Sequence, residues 1–170
     1  MKTIEIYRYD LTHPLVLANG DTYDSRIRVL DDAGTVLRNV DFVNTDATVN
    51  YCGGRLSYGD YYAIRGPHGK TGYPALWIFK SQNPASVHEL VDVTAEMLTL
   101  PSEIPNPNHG GERIITEVHI HKGGLTWDYS HGCITIATDD LLRDNWTPFI
   151  ALFPEGEVIR VRLICGRSAC

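Results

Sequence analysis

Arg26-Ile27-Arg28-Val29-Leu30, followed by Asp31-Asp32-Ala33-Gly34 and then Val36-Leu37, decides the fold class. Apolar Ile27 and Val29 alternate with charged neighbours, the period of a strand with one buried face. Asp31 to Gly34 is turn chemistry, and the apolar pattern resumes after it, so residues 22 to 43 read as a hairpin with a short loop. The same alternation recurs along the chain. Thr3 to Tyr9 puts Ile4 and Ile6 on one face and Thr3, Glu5 and Tyr7 on the other. Tyr61 to Arg65, Ala75 to Lys80, Arg113 to His121 and Glu157 to Cys165 read as further strands. Gly66-Pro67-His68-Gly69-Lys70-Thr71-Gly72 is a loop between two of them.

Helical signals are fewer. Pro84 to Leu98 follows Asn83, an N-cap residue with proline at the first helical position. Val87, Leu90, Val91 and Leu98 fit a helical stripe, although Val91-Asp92-Val93 also fits a strand. Thr138-Asp139-Asp140 predicts the opening of a second helix, with acids where the dipole favours them. Thr147-Pro148 starts a short turn through Phe153. Leu100 to Glu112, rich in Pro, Asn and Gly, reads as a surface loop. The expectation is one mostly β domain over residues 1–170, sandwich- or barrel-like, with one or two short helices.

Composition narrows the function. The 170 residues are 43% hydrophobic and 21% charged, the mix of a globular domain. Lys and Arg number 15 against 21 Asp and Glu, a net charge of -6 with no basic cluster. This argues against nucleic acid and anionic membrane as partners. No apolar run approaches the ~18 residues of a membrane span. Met1 to Arg8 alternates charged and apolar residues and has no signal-peptide core. Cys52, Cys133, Cys165 and Cys170 are too few for a disulfide scaffold and form no C-x-x-C pair. Cys165 and Cys170 either close a small terminal loop or remain free thiols, and Cys52 reads as structural.

One stretch carries chemistry: Val118-His119-Ile120-His121-Lys122-Gly123-Gly124, Leu125-Thr126-Trp127-Asp128-Tyr129, then Ser130-His131-Gly132-Cys133-Ile134. Three of the seven histidines and a cysteine fall within fifteen residues. A thiol needs an imidazole nearby to react at neutral pH, because the thiolate is the nucleophile. A strand-end His121 meets a loop Cys133 if the loop folds back. Gly132 lets backbone N–H groups approach a substrate oxygen.

His121, eight intervening residues, and Ser130-His131-Gly132-Cys133-Ile134 resemble the signature of the L,D-transpeptidase catalytic domain. Gly59-Asp60-Tyr61-Tyr62-Ala63-Ile64 is similar to that family's upstream strand, and the resemblance runs over residues 53–165. It implies a mostly β domain acting on peptidoglycan stem peptides, with Cys133 as nucleophile and His121 as general base. It further implies that Ser130 and His131 shape the loop, and that the N–H groups of Cys133 and Gly132 hold the oxyanion. A carbonyl at Lys122 or Gly123 would orient the imidazole. No metal or organic cofactor is implied. The chain departs from the pattern in its eight-residue spacer, in Thr135, in Leu56-Ser57, and in the added Leu100 to Glu112 loop.

Other readings of the same residues stand beside this one. Cys133 is also the kind of small residue that cores bury, and His121 also reads as a hydrogen-bonded strand-end histidine. His119 and His121 lie two apart, on one face of a strand. With His131 and Cys133 they supply four groups of the types zinc takes, so a non-catalytic metal-binding or peptidoglycan-binding module is the alternative. Trp77, Trp127 and Trp146 read as packing, with Trp127 and Tyr129 also placed to wall a cleft, and His109 as a solvent-exposed loop residue. A stem-peptide substrate places the site of action in the periplasm or cell wall. The routes there are a trimmed export signal, release with phage, or delivery by a secretion machine.

Overall fold

The computed structural model describes residues 1–48, 53–69, 71–124, 130, 132–138 and 144–166. The alternating apolar residues meet as the sequence pattern demands: Ile4, Ile6, Ile27 and Val29 are all fully buried. In chain order the strands are β1 (Thr3–Arg8), β2 (Leu15–Val16), β3 (Thr22–Tyr23), β4 (Ser25–Leu30), β5 (Val36–Asn44), β6 (Gly59–Pro67) and β7 (Pro74–Phe79). Helix α1 (Ala95–Leu98) precedes β8 (Thr99–Pro101), β9 (Ile114–Thr116), β10 (His119–Gly123) and β11 (Ile134–Ala137). Helix α2 (Trp146–Ile150) and β12 (Ile159–Cys165) complete the order. Strand accounts for 43% and helix for 12%, so the mostly β expectation holds.

Eight strands close a barrel in the order β1-β12-β6-β7-β10-β11-β5-β4, with β4 returning to β1. Closure leaves no unpaired edge. Two neighbouring pairs, β1 with β12 and β10 with β11, run parallel; the others are antiparallel. The predicted hairpin is β4 and β5, closed by Asp31, whose carboxylate accepts from the Ala33 and Thr35 N–H groups. The barrel interior is aliphatic, and Trp146, Phe149 and Ile150 of α2, with Phe153, join the same buried cluster. No described helix is long and apolar enough to cross a membrane.

Two elements differ from the sequence reading. Pro84 to Leu98 is not one helix. It is a 3-10 turn at Pro84–Ser86, another at Leu90–Asp92, and the single turn of α1. Local side chains restart the chain each time: Asp92 accepts from the His88 and Glu89 N–H groups, and Thr94 Oγ1 caps Met97. Capping residues inside a helical stripe compete with its continuation. Val91, counted in the stripe, is 82% exposed, while Val87 and Val93 pack over the outer face of β6 and β7 against Ile64 and Phe79. Second, Arg113 to His121 is not one strand. Glu117 adopts φ +54, a left-handed conformation that breaks the run into β9 and β10. The helix expected from Thr138-Asp139-Asp140 falls mainly on 139–143, outside the described residues; the Thr147-Pro148 turn lies within α2.

Candidate functional site

The site lies where β10 runs beside the start of β11. These strands pair in parallel with Ile120 opposite Ile134 and His121 opposite Thr135. Extending the register back one residue sets Cys133 beside His119, and the His119 N–H donates to Cys133 Sγ at 3.4 Å. His121, two residues on, faces the same side. The Cys133 thiol points to the Glu117 carbonyl at 3.7 Å, the strained position that separates β9 from β10. His119, His121, Ser130 and Cys133 line one cavity of about 220 Å³, together with His68 and Ile115 to Val118. Cys133 is a half-buried thiol outside any disulfide, whereas Cys165 is disulfide-bonded; Cys52 and Cys170 lie outside the described residues.

The His121 ring is fixed by the backbone. Nδ1 is 2.9 Å from the Lys122 carbonyl and 3.4 Å from the Tyr73 hydroxyl. A carbonyl only accepts, so Nδ1 carries the proton and the Nε2 lone pair is the basic site. Burial pushes the His121 pKa down to about 4; the Lys122 carbonyl opposes that shift and neighbouring His68 adds to it. At neutral pH the imidazole is therefore a neutral base, not a standing imidazolium. His119 is displaced further, to about 3, by burial and then by His121 and His68. Its ring lies 3.9 Å from the Trp77 ring, and its buried Nε2 has no hydrogen-bond partner among the described residues.

Ser130 holds the loop that carries the thiol. Its Oγ donates to the Cys133 carbonyl at 3.0 Å and accepts the Gly132 N–H at 3.0 Å. Its backbone is clamped to Thr48, with Thr48 N–H on the Ser130 carbonyl and Ser130 N–H on Thr48 Oγ1. Gly132 is required by packing: at φ +123 an added Cβ would sit 2.5 Å from the Gly54 carbonyl oxygen and 2.7 Å from Ile115. The Gly132 N–H, read from the sequence as an oxyanion donor, is bonded to Ser130 Oγ in the ligand-free chain. His131, Trp127 and Tyr129 lie outside the described residues.

His68 and Tyr73 belong to the site although neither stood out in the sequence. The β6–β7 loop folds over the cavity, with His68 stacked on Tyr73 at 4.6 Å and 4.5 Å from the His121 ring. A single histidine between Pro67 and Gly69 carries no periodicity, so only the loop's return reveals it. His109 does not line this cavity, but its Nε2 lies 3.2 Å from the hydroxyl of Thr116, which does. Among the described residues no three His, Cys, Asp or Glu side chains are grouped to hold a metal ion, so His119, His121 and Cys133 do not make the expected set without His131.

A thiol, a neutral imidazole with its proton fixed on Nδ1, and an enclosing cavity are the parts of nucleophilic acyl transfer. Comparison of the chain with protein-family models finds no matching family, and comparison with curated proteins and with solved structures finds no match either.

Proposed function

We propose that the chain is a cysteine acyl transferase or peptidase acting on peptidoglycan stem peptides, of the L,D-transpeptidase or L,D-carboxypeptidase kind. The observation that carries this reading is the meeting of Cys133 and His121 in one cavity, with His121 Nδ1 held by the Lys122 carbonyl. In this reaction His121 Nε2 takes the thiol proton as Cys133 Sγ attacks the peptide carbonyl. The C–N bond then breaks, the amine of the departing D-amino acid takes the proton back from His121, and a thioester remains. An incoming amine resolves the thioester to a cross-link, and water resolves it to a free acid. The His119 N–H supports the thiolate directly, since an amide donor at sulfur favours the charged form.

The test is mass spectrometry of muropeptides incubated with the protein and with Cys133→Ala. Loss of one D-amino acid or formation of a cross-link by the wild type alone supports the reading, as does a thioester adduct on Cys133. Unchanged muropeptides in both samples, with no adduct, overturn it.

A further inference from the structure

A second, larger cavity meets the thiol cavity along strand β9. It measures about 520 Å³, within the range of small-ligand sites, and is bounded by the start of β6, the end of β7, β8 and the start of β9. Tyr58, Leu100 and Pro101 contribute apolar surface to its lining, and Lys80 and Arg113 contribute charge. The β8–β9 hairpin that forms one side frames the Leu100 to Glu112 addition noted in the sequence. Strand β9 connects the two cavities: Ile114 lines the larger one, and Ile115 and Thr116 line the thiol cavity. At about 3.3 Å per residue, Arg113 and Thr116, which lines the thiol cavity, are separated by about 10 Å of extended chain, a span that a long arginine side chain shortens.

The charges of this groove are unbalanced. Neither Lys80 nor Arg113 forms an ion pair among the described residues, in a chain whose net charge is -6. The acid in the lining, Asp60, is engaged by Arg162 at 3.2 Å. Arg113 is held in place, its Nη1 donating to the Glu103 carbonyl, and the Lys80 N–H is bonded to the Met97 carbonyl, which pins its backbone to α1. Two cations without an acidic partner among the described residues, one of them fixed through the Glu103 carbonyl, beside an apolar lining suit a carboxylate on an otherwise uncharged peptide segment.

We propose that this groove is a binding subsite for a free carboxylate of the peptide substrate, carried by the residue that precedes the one whose carbonyl Cys133 attacks. The proposal rests on the acyl-transfer reading for the identity of that carbonyl, and on the groove alone for the charge of the ligand. It makes the protein selective for acidic stem peptides over amidated ones.

The experiment compares a stem tetrapeptide whose second residue has a free α-carboxylate with the same peptide amidated there. Wild type should favour the free acid in kcat/KM by roughly tenfold, the effect of two exposed ion pairs at low salt. Lys80→Gln with Arg113→Gln should bring the ratio close to one, and added salt should erode it in the wild type. Arg38→Gln, on β5 across the barrel from β6 and β7, should leave it intact. Where neither peptide is turned over, titration calorimetry on Cys133→Ala protein reads the groove by itself. Tighter binding of the free acid, lost in the Lys80/Arg113 double variant, supports the subsite while the acyl-transfer reading fails. Equal handling of both peptides by the wild type, or a preference that survives the double substitution, overturns the subsite.

Discussion

Acidification from pH 7 to pH 5 should destabilise this protein through the buried imidazoles of its site. His121 is 4% exposed and His119 7% exposed. Their ordinary pKa of 6.5 falls to about 4 and about 3 in the folded chain, chiefly because burial penalises the charged ring. The unfolded chain therefore binds protons below about pH 6.5 that the folded chain refuses, and stability must fall as pH falls. The contribution is complete above the unfolded value and is lost progressively down to the folded values. Between pH 7 and pH 5 each ring accounts for about 2 kcal/mol. His119 and His121 disfavour each other's charge only once one is protonated, so about 4 kcal/mol is the combined scale over this interval. That is a large share of an ordinary domain stability of about 5–15 kcal/mol. The assay is urea unfolding at pH 7, 6 and 5, an interval above the ordinary carboxylate range. His119→Phe and His121→Asn should each remove about half of the loss. Equal stability at pH 7 and pH 5, or a full loss surviving in the double variant, would refute the argument.

Other expectations concern single residues. Nitrogen-15 shifts of His121 should show a protonated Nδ1 and an unprotonated Nε2 at pH 7, as the Lys122 carbonyl requires; the opposite tautomer would break the assignment of the base. Gly132→Ala should cost about 3 kcal/mol or more, read as a lowered melting temperature, since the new Cβ meets the Gly54 carbonyl in a backbone region costly to L-residues. Glu103→Ala should cost about 3–5 kcal/mol in chemical denaturation, because it strips the partner 3.4 Å from Arg8, a side chain with no exposure. His119→Ala should cost about 2 kcal/mol through lost packing on Trp77, with His119→Phe restoring most of it; a silent alanine variant would contradict the burial.

Much of the barrel was legible because a strand with one buried face writes its period into adjacent residues. Ile4, Ile6, Ile27 and Val29 announce their own burial in this way. The helix over Pro84 to Leu98 misled because its stripe included Val91, and because Asp92 and Thr94 act as local caps that periodicity does not weigh. The strand over Arg113 to His121 misled because nothing in Thr116-Glu117-Val118 advertises a left-handed glutamate.

By itself, the sequence determined the mostly β class, the β4–β5 hairpin, and the clustering of Cys133, Ser130 and His121 on one short segment, since these follow from neighbours in the chain. Only the tertiary structure decided that eight strands close into a barrel and that His68 and Tyr73 pack against His121. It alone placed Gly54 against Gly132, joined the Gly132 N–H to Ser130, and set a cation-lined groove along β9. The physical reason is range. Alternation and turn chemistry act over a few residues, whereas burial of an imidazole, closure of a sheet and the meeting of two loops depend on contacts between residues that the sequence holds dozens of positions apart.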